Sequence, residues 1–153
     1  MNVERMGDHR GFYQLCMDGD IEGVQAAIDN GADVNEEIFF WGTTGLMWAL
    51  NNSHNHVVKL LVQHPQIDIN KVDLNGGSAL HWAVGNDNHE GLAALLAQQN
   101  LPTINQKDNG GWTPIMKAVA CKSVNCFQLL LTNPQVDLDT RDGYQRNPKE
   151  IRR

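Results

Sequence analysis

Few residues of this chain stand at spacings that could bind a metal or activate a nucleophile. His54 and His56 have imidazoles that can ligate zinc, but they are two residues apart with no third ligand nearby. They fall in a short connection between helical segments, where we expect them to face solvent. Cys16, Cys121 and Cys126 follow no metal-ligand or redox spacing, and their count is odd. We therefore expect reduced, mostly buried thiols.

Phosphate-binding and nucleophilic groups are equally sparse. Gly76-Gly77 and Gly110-Gly111 have the pattern of turn glycines, not of a loop between a strand and a helix that holds phosphate. No nucleophile stands out with a paired base. Three serines precede helical segments, where capping explains them: Ser53, Ser78 and Ser123. The sequence therefore predicts no catalytic residue, no metal, no cofactor and no enzyme activity.

The side chains that stand out instead are aromatic. Phe39, Phe40 and Trp41 are consecutive, and Trp48 and Trp82 are 34 residues apart. Large apolar side chains that are exposed together tend to mark contact sites. Tryptophan is favoured at binding hot spots because it buries much area at little entropic cost. This is the chemistry of binding, and it depends on the elements that position the rings.

These elements repeat every 34 or 35 residues. One phrase occurs as Gly42-Thr-Thr-Gly-Leu-Met-Trp-Ala49, Gly76-Gly-Ser-Ala-Leu-His-Trp-Ala83 and Gly111-Trp-Thr-Pro-Ile-Met-Lys-Ala118. A second phrase keeps step with it: Asp33-Val-Asn35, Asp68-Ile-Asn70, Thr103-Ile-Asn105 and Asp137-Leu-Asp139. A period in this range indicates an array of stacked units and not a globular fold with one pocket. Such arrays usually present a long surface to a partner.

The stretch that begins at Asp108 shows the plan of one unit. Asp108-Asn-Gly-Gly111 has turn chemistry, Thr113 is a good N-cap, and Pro114 suits the first position of a helix. Ser123 then caps a second helix, which Asn133-Pro134 ends. The residues of this second helix predicted to face inward are Cys126, Phe127, Leu129, Leu130 and Leu131.

These phrases resemble the ankyrin repeat. Thr113-Pro-Ile-Met-Lys-Ala118 and Ser78-Ala-Leu-His-Trp-Ala83 are close to the family's Thr-Pro-Leu-His-x-Ala phrase, and Gly31-Ala-Asp-Val-Asn35 matches its closing phrase in full. The resemblance covers about residues 9 to 151. It implies an all-α fold, an ankyrin-repeat solenoid of stacked helix-turn-helix units with β-turn or hairpin connections. It predicts a single domain over residues 1–153, with units at about 9–37, 38–72, 73–107 and 108–141 and a partial fifth unit at 142–153.

The departures from the family pattern concern the junctions and the two ends. Only His81 keeps the family's histidine, which typically ties adjacent turns together. Met47 and Met116 replace it, so their junctions are predicted to be softer. In the first unit, Cys16 is assigned to the slot for a small residue. The fifth unit has a turn and a helix start and stops after Ile151, as a degenerate cap or as a cut through a longer array; the short final helix favours the cut.

The resemblance also implies where a partner binds, namely at the turn tips and the first-helix face, which form a concave strip in ankyrin arrays. By register, Phe39 takes the place that aspartate has in the later turns, and its turn is one residue longer. Equal register places Trp48 and Trp82 side by side, ~10 Å apart, with Trp112 nearby. Alternatively, the turn aromatics fold back as a lid, and each tryptophan only packs on the neighbouring helix. The predicted contact residues are Phe39, Phe40, Trp41, Trp48, Trp82, Trp112 and Lys117.

Three functions are compatible with this surface. The prediction is a non-catalytic scaffold, adaptor or inhibitor that binds another protein or peptide. One alternative is an aromatic cage for methylated lysine or a nucleotide base, which the tryptophans and Glu36 or Glu37 would line through cation–π attraction. The other alternative is a regulatory segment of a larger enzyme or channel.

Composition narrows the partner further. The 153 residues have a net charge of −6, with 20% charged and 41% hydrophobic residues, which argues against a nonspecific grip on nucleic acid. Acidic residues around the strip favour a partner with basic and apolar groups. No stretch approaches the ~20 apolar residues of a membrane span, and the N-terminus lacks the apolar segment of a signal peptide. We expect a monomer in the cytoplasm or nucleus that does not insert into membranes.

Overall fold

The computed structural model of the protein describes residues 10–99 and 101–151. In this part of the chain, eight α-helices form four pairs, which confirms the predicted all-α solenoid of helix pairs. The predicted limits at residue 9 and at residues 152–153 lie outside the described residues. The first helices of the pairs are α1 (Phe12–Asp18), α3 (Gly45–Asn51), α5 (Ala79–Gly85) and α7 (Pro114–Ala120). The second helices are α2 (Ile21–Asp29), α4 (Asn55–Val62), α6 (His89–Leu96) and α8 (Val124–Leu131), and a 3₁₀-helix spans Pro102–Asn105.

Two layers of helices hold the array together. The first helices pack on one another in sequence, α1 on α3, α3 on α5 and α5 on α7, and the second helices form the other layer in the same order. Burying one leucine side chain in such a core stabilises the fold by roughly 1.5–3 kcal/mol. None of the helices in the described ranges is long and apolar enough to cross a membrane. The largest buried side chains form one continuous core: Leu46, Leu50, Leu61, Leu80, Leu92, Leu95, Ile115 and Leu130.

Polar side chains begin several of the helices, but two serines differ from the prediction. The Thr44 hydroxyl accepts a hydrogen bond from the Met47 amide at 3.4 Å and so caps α3 as predicted. Ser53 is not a cap, because its backbone is left-handed (φ 57°) in the loop before α4. Ser123 is the N-cap residue of α8, but its hydroxyl donates to the Val84 carbonyl of the preceding unit. Ser123 therefore ties two units together.

The loop inside each helix pair has one residue with a positive φ, and this residue sets the register of the units. Cys16 and Leu50 each lie three residues before it. Cys16 therefore aligns with Leu50, and Leu15 fills the small-residue slot that Ala49 fills in the second unit. The prediction that Cys16 fills the small-residue slot is therefore wrong, because the loop after α1 sets the register of the first unit. The positive-φ residues are Gly19, Ser53, Asp87 and Lys122.

The last helix shows what stacking contributes to the others. Leu131 is 46% exposed, whereas Val62 at the same register of α4 is 6% exposed. Phe127 and Leu129 are half-buried. Both also pack against the core, so the predicted inward orientation is confirmed for them. No helix pair of the described chain packs on this side of α8, so the prediction is wrong for Leu131. The two fully buried members of the set are Cys126 and Leu130.

The segment that follows the fourth unit begins as a repeat but does not continue as one. The buried Asp142 carboxylate accepts hydrogen bonds from the Tyr144 amide (2.9 Å) and the Arg146 amide (2.8 Å), and it pairs with the Arg146 guanidinium. The Asn147 side chain accepts from the Glu150 amide and the Glu150 carboxylate accepts from the Asn147 amide, as at a helix start. The predicted turn is present and the bonds at Asn147 resemble those of a helix start, yet no α-helix follows within the described residues.

Candidate protein-binding surface

The first hairpin projects three aromatic side chains. Its strands β1 (Glu37–Ile38) and β2 (Thr43–Thr44) pair antiparallel on either side of the tip. Phe39, Phe40 and Trp41 form that tip and are 89%, 76% and 59% exposed. The alternative that they fold back as a lid is wrong, since a lid would bury them.

The register of this hairpin differs from the prediction. The Ile38 carbonyl accepts a hydrogen bond from the Gly42 amide at 2.7 Å. In the next turn, the Asp73 carbonyl accepts one from the Gly76 amide at 2.9 Å. Ile38, and not Phe39, therefore takes the place of Asp73. The extra residue of the first hairpin lengthens its tip, which is why three aromatic residues fit there.

Trp48 and Trp82 lie on neighbouring first helices, and the indole N–H group of each binds an acceptor in its own unit. Trp48 Nε1 donates to Thr43 Oγ1 at 3.0 Å, and Trp82 Nε1 donates to Asp73 Oδ2 at 2.9 Å. Both side chains are half-buried, and Trp82 also packs against the core. Because their polar edges are occupied, a partner would meet mainly ring carbon.

Three indole rings are in contact along this face. The ring centroids of Trp48 and Trp82 are 5.4 Å apart with planes at 59°, and those of Trp41 and Trp48 are 6.4 Å apart at 56°. These are tilted contacts of the kind that aromatic pairs prefer. The Trp48 and Trp82 rings are closer than the ~10 Å expected because that spacing separates helix axes, and the side chains extend across it. We call Trp41, Trp48 and Trp82 the aromatic strip.

Trp112 and Lys117 lie in the next unit along this face, but they do not extend the ring contacts of the strip. Trp112 is half-buried, and its carbonyl accepts a hydrogen bond from His81 Nε2 at 2.8 Å. The ring contacts found in the described part of the chain do not include Trp112. Lys117 takes the position of Trp48 and Trp82 in α7 and is half-buried. The aromatic strip is therefore followed by a cation.

The contacts within the strip leave little room for an aromatic cage. Neighbouring rings touch each other, so the space between them is not open to an ammonium group. Glu37 forms an ion pair with Lys71, and Glu36 is exposed. The rings form an open surface and not an enclosed pocket.

The later turns are bonded by their own carboxylates, as predicted. Asp73 Oδ1 accepts hydrogen bonds from the Asn75 amide (2.8 Å) and the Gly77 amide (2.9 Å). Asp108 Oδ1 makes the equivalent pair of bonds in the next turn. The first hairpin has Ile38 at this position, so no carboxylate can hold its tip in the same way.

Sequence reasoning did not assign two residues that shape the surface, Leu74 and Thr43, and it did not predict that Asp73 binds the Trp82 indole. Leu74 is 65% exposed on the second turn, and its amide donates to the Trp41 carbonyl at 3.0 Å. It therefore extends the exposed apolar surface from the first hairpin to the next turn. Thr43 and Asp73 orient the two indoles. No local pattern identifies them, because each indole meets its acceptor only once the turn has folded against the helix.

His54 lies in the connection before α4, as predicted, whereas His56 lies inside the helix. His54 is the N-cap residue of α4, and its Nε2 lies 3.0 Å from the Met17 carbonyl. His56 lies in the first turn of α4, and its Nε2 lies 3.0 Å from the Gly19 carbonyl. His56 is exposed, as predicted, whereas His54 is half-buried. Both rings lie against the preceding unit and so join the first two units.

The two buried thiols are poor nucleophiles. Burial raises the pKa of Cys16 to about 12, and the charge of Glu36 adds to this effect. Burial also raises the pKa of Cys126 to about 12, together with the hydrogen bond and the charge of Asp87. The thiolate is the reactive form of cysteine, so both groups are unreactive at neutral pH.

Stacked helix pairs whose turns and first helices expose aromatic side chains define a class of binding protein. A family model of ankyrin repeats, in three copies, matches residues 12–108 and 67–142. The chain belongs to the ankyrin-repeat family. This family is typically non-catalytic, and its arrays bind other proteins through extended surfaces.

Several similar proteins are much longer than this chain. The SMC5-SMC6 complex localization factor protein 1 of Bos taurus is 40% identical over 80 residues, which are 51% of this chain and 8% of that protein. The target of rapamycin complex 2 subunit AVO2 of Saccharomyces cerevisiae is 31% identical over 144 residues, 94% of this chain and 32% of that protein. The transient receptor potential cation channel subfamily A member 1 of Homo sapiens is 32% identical over 111 residues, 72% of this chain and 10% of that protein. The chain thus spans a third or less of these relatives.

Proposed function

We propose that this chain is a scaffold, adaptor or inhibitor that binds another protein or peptide through the aromatic strip and the tip of the first hairpin. The supporting observation is that Trp41, which is 59% exposed, belongs to both. Through its contact with Trp48 it joins the exposed tip to the half-buried indoles of the first helices. The result is one continuous apolar surface across the first two turns.

The distribution of exposed side chains supports the same surface. Single exposed apolar residues are ordinary, but a contiguous group is typical of contact sites. Phe39, Phe40 and Trp41 share one tip, and Leu74 lies beside them on the next turn. Tryptophan and other aromatic side chains contribute much of the affinity at protein interfaces. The position of these residues on the turns agrees with a partner that lies across successive units.

Charge and chemistry support the class of partner. The net charge of −6 disfavours nucleic acid, whose phosphates require clustered Lys and Arg. All three cysteines are free, as expected for a protein of the cytoplasm or nucleus. Two of the relatives are named for a role in a protein complex, which is the kind of role proposed here for a monomeric module.

Affinity capture from lysate tests the proposal. The bait is compared with a Trp48→Ser/Trp82→Ser/Phe40→Ser variant whose helical circular dichroism matches that of the original. A Val124→Ser/Leu131→Ser variant is the control, since it removes two exposed apolar side chains from the outer helix α8. We expect one or more proteins that the original and the control capture and the strip variant loses. Equal capture by all three baits would contradict the proposal and direct attention to the outer helices.

A further inference from the structure

The indole N–H groups of Trp48 and Trp82 are already hydrogen-bonded within the chain, which limits the contacts that a partner can make with the aromatic strip. Trp48 and Trp82 donate their indole N–H groups to Thr43 and Asp73 at 3.0 and 2.9 Å. Neither indole has a second donor. A partner therefore gains nothing from a hydrogen-bond acceptor placed against these rings. What remains is the ring face, which is the negative part of the aromatic quadrupole and attracts cations.

One carboxylate lies at the edge of these rings, and a second lies on the next turn. Asp73 accepts the Trp82 N–H, so its negative charge lies at the edge of that ring. Asp108 occupies the same place in the next turn, and both of its amide bonds use Oδ1. Within the described residues, no group donates to Asp108 Oδ2. In the next unit, the position equivalent to Trp48 and Trp82 is occupied by Lys117, which has no ring. Lys71, which precedes the second turn, forms an ion pair with Glu37.

From these contacts we infer that the segment bound by the aromatic strip presents an arginine or lysine side chain to the faces of Trp48 and Trp82, beside Asp73 and Asp108. This inference rests on the proposed function, because it names the partner's chemistry at the same surface. The partner is a peptide segment in which the cationic residue is flanked by apolar residues that contact Phe40 and Trp41. The overall charge of −6 draws such a segment toward the chain.

The spacing of the rings sets how the cation binds. With centroids 5.4 and 6.4 Å apart, neighbouring rings fill the space between them, so the cation lies on the open side of the strip. A planar guanidinium stacks on an open ring face and also binds a carboxylate with its N–H groups. Arginine is therefore preferred over lysine, and methylation of the lysine adds nothing.

Lys117 and Asp108 provide a pair of opposite tests that leave the strip intact. Asp108→Asn keeps the oxygen that accepts the two amides and replaces only the unused Oδ2, so the turn is retained while its charge is lost. Lys117→Gln removes the positive charge that follows the strip. The first change is expected to weaken binding of a cationic segment about threefold and the second to strengthen it about twofold, since each alters one nearby charge.

Selection from a phage-displayed library of random 12-residue peptides tests the inference. The chain is the target, and a Trp48→Ala/Trp82→Ala variant with matching circular dichroism is used for counter-selection. If that variant unfolds, Trp48→Ala alone, which keeps the core contact of Trp82, serves as the counter-target instead. We expect enrichment of arginine next to aliphatic or aromatic residues. In a synthetic peptide from the selection, replacing the arginine by citrulline, which has the same shape without the charge, is expected to weaken binding about tenfold.

The outcomes separate this inference from the proposed function. Strip-dependent peptides that lack Arg and Lys, or that bind equally well with citrulline, overturn the cationic partner and leave the protein-binding surface standing. Peptides that bind the chain and the counter-target equally, or no enrichment at all, overturn both. Opposite effects of Asp108→Asn and Lys117→Gln on the affinity of an arginine peptide support the inference. Tighter binding of a trimethyl-lysine peptide than of the arginine peptide contradicts the open geometry.

Discussion

The hairpin at residues 38–43 and the turns at 73–77 and 108–112 occupy equivalent places in successive units, yet only the two later turns have a carboxylate that binds their backbone. In the later turns a carboxylate oxygen of Asp73 or Asp108 accepts two backbone amides of its own turn. Backbone pairing occurs in all three, between Ile38 and Thr43, Asp73 and Gly77, and Asp108 and Trp112, and the first hairpin depends on it without a carboxylate. The first hairpin therefore needs no particular side chain at its tip.

Because of this difference, we assign stability to the later turns and binding to the tip of the first hairpin. The aspartate oxygens that accept these amides in the later turns are engaged in folding, so removing them alters the turn itself. The tip of the first hairpin instead exposes Phe39 and Phe40, which contact each other at 5.5 Å between ring centroids. A position that the fold leaves free can vary with the partner. We therefore expect loss of these accepting oxygens to affect unfolding and changes in the first tip to affect binding.

The largest difference in stability is expected between two glycines with positive φ. A Cβ at Gly111 would lie 2.6 Å from the Gly143 backbone nitrogen, whereas one at Gly42 would lie 3.3 Å from the Leu74 nitrogen. Gly111→Ala is expected to lower the free energy of unfolding by about 3 kcal/mol, because the left-handed strain and a backbone clash add together. Gly42→Ala is expected to cost about 1–2 kcal/mol from the strain alone. Urea unfolding followed by circular dichroism measures both, and equal losses would mean that the two turns are packed alike.

A smaller loss is expected when the carboxylate of the second turn is removed. Asp73→Ala takes away the acceptor of two amides and leaves the Trp82 N–H without its partner, at a cost of about 2–3 kcal/mol. Glu36→Ala, which removes the same charge from an exposed site, is the control and is expected to change stability by less than about 0.5 kcal/mol. The Trp82 indole signal in NMR spectra should move in the first variant alone. An Asp73→Ala protein as stable as the control would show that the backbone suffices in this turn too.

The turn at 108–112 is also tied to the preceding unit, and this tie is expected to depend on pH. Burial lowers the pKa of His81, although its hydrogen bond to the Trp112 carbonyl opposes the shift. The unfolded chain then binds more protons than the folded one as pH falls below about 6.5. The stabilising contribution is therefore fully present above about pH 6.5 and is lost as pH falls through the folded pKa.

Substitution of His81 by the residue of the neighbouring junctions tests this dependence. His81→Met is expected to cost about 1 kcal/mol at pH 7.5, because it removes the bond to the Trp112 carbonyl. The difference between the two proteins should shrink toward pH 5, where His81 is protonated on unfolding. Urea midpoints at both pH values measure it. A constant difference would show that His81 does not titrate on unfolding, and a stable variant would show that the methionine junctions are not softer.

The smallest effect on stability is expected at the tip of the first hairpin. Phe39→Ser/Phe40→Ser should change the free energy of unfolding by less than about 0.5 kcal/mol, because both rings are exposed. The same protein should capture less partner from lysate than the original does. Thermal unfolding and capture are measured on one preparation. A loss of stability above about 1 kcal/mol would mean that the rings support the fold, and the division between the two regions would fail.

Most of the fold follows from local patterns in the sequence. The repeat period, the cap at Thr44 and the aspartates of the later turns predict helix pairs and turns, because each depends on residues close together in the chain. The prediction failed where a contact comes from another unit. The contact of His54 with the Met17 carbonyl was not predicted, because the two residues are 37 positions apart in the chain. Leu131 looked like a core residue because its helix pattern does not show whether another unit covers it.

The candidate surface also has features that local patterns predict and features that depend on contacts between units. The sequence alone determined that this is an ankyrin array and that Trp48 and Trp82 occupy one register, since period and spacing are local properties. Only the tertiary structure decided that Trp41 joins these rings while Trp112 does not, and that Thr43 and Asp73 take up the indole N–H groups. The physical reason is that ring contacts and their orientation depend on distances between units. Those distances are set by how the helices stack, which no single repeat specifies.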